Sequence, residues 1–65
     1  MKPLPKAGDI WRWQFDLNHF NRDYAHVLLL EQKNSDVWKC LDLDDGDVAD
    51  WFFHKSDMKH WKHIA

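Results

Sequence analysis

The sequence has no pair of cysteines. Cys40 is alone among 65 residues, so no intrachain disulfide can form, and a lone thiol fits a reducing, cytoplasmic setting better than an oxidising one. Long apolar runs are missing as well. The longest, Val27 to Leu30, is far too short to span a bilayer, and "MKPLPKAGD" has no apolar stretch after its lysines to serve as a targeting segment. No membrane partner is expected. Positive charge is also scarce, with a net charge of −2 and no basic patch denser than Lys55, Lys59 and Lys62.

What the chain does have is rings. Five Trp, four Phe and one Tyr sit in a length that makes one domain, residues 1–65, near the lower limit at which a single core outweighs conformational entropy without staples. Each buried ring removes about 150–250 Å² from water. Most of them are therefore needed inside, and a surface role has to be argued ring by ring. Charge is divided along the chain. Six aspartates (Asp36, Asp42, Asp44, Asp45, Asp47, Asp50) face only Lys39 between residues 36 and 50, whereas Lys55, Lys59 and Lys62 face only Asp57 near the end, among His54, His60 and His63. Such charges read first as a solvated face.

Pro3 and Pro5 give an extended lead-in, and "AGD" at 7–9 a turn. From Ile10 to about Phe15 the pattern has period 2, with Trp11, Trp13 and Phe15 on one face of a first strand. The polar segment 16–23 reads as a loop whose Phe20 folds back over the domain. A second strand runs from Tyr24 to about Gln32, its Val27–Leu30 run apolar on both faces as in a central strand covered from two sides. "KNSD" (33–36) is a turn. A third strand, Val37–Leu43, leads through Asp45-Gly46, a strong hairpin signal, to a fourth from Val48 to about His54. Ser56 and Asp57 then cap a single helical turn, "MKHWKH", with Trp61 and Ile64 on one side, or the tail is a short closing strand.

The predicted fold is all-β, a small antiparallel barrel of four to five strands with a short C-terminal helical turn. "PKAGDIWRW", the long loop after strand one, the hairpin "VWKCLDLDDGDV" and the final "HWKHI" resemble the small SH3-like barrels common among short phage and bacterial proteins. The resemblance implies a binding module, an accessory or inhibitory protein of a phage or other mobile element. It carries over no site residue.

Enzymatic activity is not expected, and no catalytic residue is assigned. Cys40 lies mid-strand as a small buried thiol with no histidine oriented toward it. Asp42, Asp44, Asp45 and Asp47 surround an exposed turn that excludes no water, and so short a chain leaves little room for a concave site. His60 and His63 lie one helical turn apart, near His54. A fourth ligand would have to come from Asp57 or Cys40, so the histidines are read as solvated, with no metal and no cofactor.

Two binding functions remain. Small barrels stack bases on strand aromatics beside cations, a use that suits Arg12 between Trp11 and Trp13, Arg22 near Phe20, and Lys55, Lys59 and Lys62. The negative net charge opposes it. A protein partner is the favoured reading. In "WFFH" (51–54) strand alternation keeps Phe52 off the face of Trp51 and Phe53, and Trp38 with Cys40 opposes Val37, Leu41 and Leu43. The expected contact residues are Trp38, Trp51 and Phe52 with the acidic hairpin Asp44, Asp45 and Asp47, while Trp11 and Trp13 belong to the core.

Overall fold

Local chemistry at two glycines sets where the strands begin and turn. The computed structural model describes residues 4–15 and 23–65, so all but the last residue of the loop expected at 16–23, with Phe20 and Arg22, lies outside the described residues. Gly8 takes a φ of 91° in the turn ahead of β1 (Ile10–Gln14). β1 pairs antiparallel with β2 (Tyr24–Asn34), β2 with β3 (Val37–Asp42), and β3 with β4 (Val48–Phe52). Between β3 and β4 the expected tight turn forms: Gly46 has a φ of 80°, its N–H donates to the Asp42 carbonyl at 2.7 Å, and the Asp42 N–H donates to the Asp47 carbonyl at 2.7 Å. Only glycine adopts that φ without strain.

The C-terminal segment combines the two forms the sequence allowed. A 3-10 turn covers Lys55–His60, earlier than "MKHWKH" suggested, and Trp61 starts β5 (Trp61–His63), which returns to pair with β1. The cap is not Ser56 or Asp57: the His54 ring accepts from the Ser56 N–H at 3.2 Å. Trp61 is buried while Ile64 is exposed, so the two do not share a side.

The strand order is β4-β3-β2-β1-β5. The sheet is mainly antiparallel and is not closed into a barrel, which corrects the sequence expectation. The reason is local. β5 has only three residues, and the gap between it and β4 is filled by a side chain instead of a ladder: Trp61 Nε1 donates to the Phe52 carbonyl at 3.0 Å, and its indole stacks on Phe53 with centroids 4.0 Å apart.

One face of the sheet holds the core. Trp11, Val27, Leu29, Trp38, Cys40, Phe53 and Trp61 form a buried cluster, with half-buried Trp13, Trp51 and Met58 packed against it. Trp11 meets Phe53 edge-on at 5.8 Å, and Trp13 and Trp51 each meet Trp61 edge-on at 5.0 and 5.7 Å, geometries favoured by ring quadrupoles. β2 is covered from one side only. Ala25, Val27 and Leu29 are buried, but Leu28 is half-buried and Leu30 exposed, so the expectation of cover on both faces is also corrected.

Candidate interaction surface

The three aromatics expected at a contact surface separate. Trp38 is only 5 % exposed and belongs to the core; its strand buries the even-numbered residues, so Cys40 is inside as expected and Trp38 goes inside with it. Trp51 is half-buried on the same side, 6.5 Å from the Trp13 ring, and its Nε1 is buried without a hydrogen-bond partner among the described residues. Of the three, Phe52 alone stands outward. It is 63 % exposed, next in sequence to the buried Phe53, as strand alternation requires.

Phe52 does not stand alone on that outer face. Residues directly opposite in antiparallel strands share a face, and the register runs Ile10↔Leu28, Leu28↔Leu41 and Leu41↔Val48. An aliphatic row therefore crosses four strands on the side away from the aromatic core. Its first three members are half-buried, and Val48, at the free edge, is 52 % exposed. A second pair, Val37↔Phe52, lies along the same strands, with Lys39↔Asp50 between the two rows.

The acidic hairpin borders this surface. Asp44, Asp45 and Asp47 are exposed as expected. Asp44 accepts from the His26 N–H at 3.0 Å, with the His26 ring 3.4 Å away. Asp42 departs from expectation. It is buried, and its Oδ1 accepts from the Asp44 and Asp45 N–H groups at 2.9 and 3.2 Å, so this carboxylate folds the turn while the next three aspartates stand on it. Asp9 plays a similar part in front of β1. Also buried, it accepts from the Lys6 N–H at 3.2 Å and from Trp11 Nε1 at 3.4 Å, with the His63 ring at 3.7 Å.

The cations are spread out. Arg12 lies over the Tyr24 ring at 4.5 Å and opposite Lys62, whereas Lys55 and Lys59 belong to the 3-10 turn. Lys59 lines a shallow depression with Gln14, Phe15 and His60. The histidines do not converge: His54 caps the 3-10 turn, His60 packs 4.7 Å from the Trp13 ring and His63 5.1 Å from Trp11. Cys40 is fully buried, and its thiol donates to the Trp38 carbonyl at 3.5 Å. Burial, reinforced by the charge of Asp50, pushes the thiol up to about 12, which suppresses the nucleophilic thiolate.

A concave site is present where little room was expected. An open groove of about 580 Å³ lies between Leu4 and Pro5, the β2–β3 turn at Ser35 and Asp36, and Lys55 and Met58, with Trp38 and Phe53 on its walls. Its volume falls within the ordinary range for ligand sites.

No protein-family model, no curated protein and no solved structure matches the chain. Sequence reading missed the outer aliphatic row, the groove and the two buried aspartates. The row was recoverable in part, since Val48 has the parity of Phe52 in its strand and Leu41 that of Val37 in the facing strand.

Proposed function

We infer that the chain is a small, non-enzymatic protein-interaction module of SH3-like plan that docks a protein partner through the outer face of β3 and β4. A four-strand meander whose fifth strand returns across a 3-10 turn to the first supports that plan. The observation that carries the docking reading is Phe52. A large ring with 63 % of its surface in water, beside exposed Val48 and an aliphatic row, gains stability from burial against a partner and contributes little to the fold. The exposed aspartates at the hairpin supply a polar rim and steer a basic partner toward it.

A second reading, nucleic-acid binding, has one observation in its favour. Lys62, Arg12 and His26 form a register row across β5, β1 and β2, with the Tyr24 ring under the guanidinium. The acidic hairpin opposes it, since phosphates are repelled there.

The test is affinity capture of the tagged protein from its native cell with and without nuclease. The protein-partner reading expects a co-purifying polypeptide that survives nuclease and is lost with Phe52→Ala. Sub-micromolar oligonucleotide binding with a steep salt slope, abolished by Arg12→Ala or by neutralising Lys59 and Lys62, supports the second reading instead.

A further inference from the structure

We propose that β4 is an open docking edge that accepts an extended, basic polypeptide segment as an added strand; this rests on the protein-interaction reading and names its partner chemistry. Direction comes from three hydrogen bonds. The Asp47 carbonyl accepts from the Asp42 N–H, and the Phe53 N–H donates to the Asp36 carbonyl, so residues 47 and 53 turn their backbone groups toward β3. Since successive residues of a strand alternate, Ala49 and Trp51 do the same. Val48, Asp50 and Phe52 turn theirs away from the sheet. The third bond agrees, because the Phe52 carbonyl is taken from that outer side by Trp61 Nε1. The indole covers one end of the edge. Val48, Ala49 and Asp50 are all exposed, leaving the N–H and C=O of Val48 and Asp50 and the N–H of Phe52 facing outward at an end strand of the sheet.

Edges of this kind pair with added strands, with backbone bonds giving affinity and alternate side chains giving specificity. Charge selects the occupant. Asp47 and Asp50 lie exposed on or beside the edge and Asp45 is exposed at the turn, against the single Lys39 opposite Asp50, so a segment carrying Lys or Arg is attracted to the turn end of the edge. A second copy fits less well. A two-fold antiparallel pairing centred at residue 50 sets Asp50 against Asp50 of the other copy, and like charges directly opposite destabilise a sheet. Alternate apolar residues of the segment would share the face of Val48, Asp50 and Phe52 and extend the aliphatic row past Val48, while the basic residues, on the opposite parity, would lie on the side of Asp47.

The probe is a blocked octapeptide of alternating lysine and valine, (Lys-Val)4, with (Glu-Val)4 as its charge-reversed control, read by amide hydrogen exchange in the intact chain. The expected result is slowing by about tenfold or more at the amides of Val48, Asp50 and Phe52, with those of Ala49 and Trp51 unchanged, and no binding of (Glu-Val)4. Raising salt to about 0.3 M weakens the effect. Val48→Pro, which removes an outward N–H at the first residue of an edge strand where proline is tolerated, reduces binding by about tenfold without loss of the β3–β4 ladder. No peptide binding, binding without alternating protection, equal binding of (Glu-Val)4, or protection that rises with protein concentration alone overturns the edge assignment. Capture of a protein partner that needs Phe52 but is indifferent to Val48→Pro leaves the module reading standing and the edge assignment refuted.

Discussion

Trp61 bridges the gap between β5 and β4 by a side chain, and its replacement tests that reading quantitatively. The indole is buried, stacks on Phe53 at 4.0 Å and donates to the Phe52 carbonyl at 3.0 Å. An indole burying about 150–250 Å² at about 25 cal/mol per Å² corresponds to an upper figure of about 4–6 kcal/mol, so Trp61→Ala should cost about 3–5 kcal/mol. A chain of this length has a total stability of about 3–10 kcal/mol. Trp61→Ala is therefore expected to be largely unfolded. Trp61→Phe is the discriminating variant, because it keeps a stacking ring and loses the bond, worth about 0.5–1.5 kcal/mol, together with part of the ring area. A loss of about 1–2.5 kcal/mol lowers Tm by roughly 5–15 °C in a domain this small. Thermal unfolding followed by circular dichroism reads the shift. A Trp61→Phe transition within about 2 °C of the parent would show that the indole does not hold β5 against β4.

Other perturbations follow from the same geometry. Trp38→Ala should cost about 3–5 kcal/mol in urea unfolding, because the ring is core and not contact surface; a variant as stable as the parent would return Trp38 to the surface. Gly46→Ala places a side chain at a φ of 80° and should cost about 1–2 kcal/mol although no heavy atom stands within 4 Å of the new Cβ, whereas an unchanged Tm would mean that the turn rearranges freely. The Cys40 thiol, raised from 9.0 to about 12, stays protonated in the folded chain while the unfolded chain ionises. Stability should therefore fall as pH rises from about 9 toward 12, and Cys40→Ala should flatten that part of the profile. Equal alkaline slopes in the two proteins would contradict the burial of the thiol.

Strand alternation made much of this architecture legible. "IWRWQ" puts its rings on one parity and "DWFF" divides its rings between two, and the Asp45-Gly46 pair favours a positive φ, so β1, the Phe52–Phe53 division and the hairpin could be read from residues alone. Strand three was ambiguous because both parities are apolar: Trp38 and Cys40 on one, Val37 and Leu41 on the other. Its direction depends on packing against β2, whose register shifts at Leu29/Glu31 and Gln32/Asn34 leave no mark in the pattern. The parity error carried Asp42 with it, since Asp42 shares the face of Trp38 and Cys40 and must go inside with them, where the turn amides satisfy its carboxylate. That the sheet stays open was beyond local reading, because the gap between β4 and β5 is filled by an indole meeting a carbonyl nine residues away. Of the candidate contact residues, Phe52 and the exposed hairpin aspartates were legible for the same reason that Trp38 was not: a single parity, or a turn, decided their exposure.

Whether Phe52 serves a partner or the fold decides if the outer face of β3 and β4 is a docking surface. The most direct measurement is the affinity of folded Phe52→Ala for the polypeptide captured by the parent, by calorimetric titration at matched folded concentration. The variant is expected to keep its Tm, since a ring 63 % exposed contributes little to stability, and to lose affinity by about 30-fold or more, the mark of an interface hot spot. A Kd within about twofold of the parent's would contradict the assignment of the outer β3–β4 face as the docking surface.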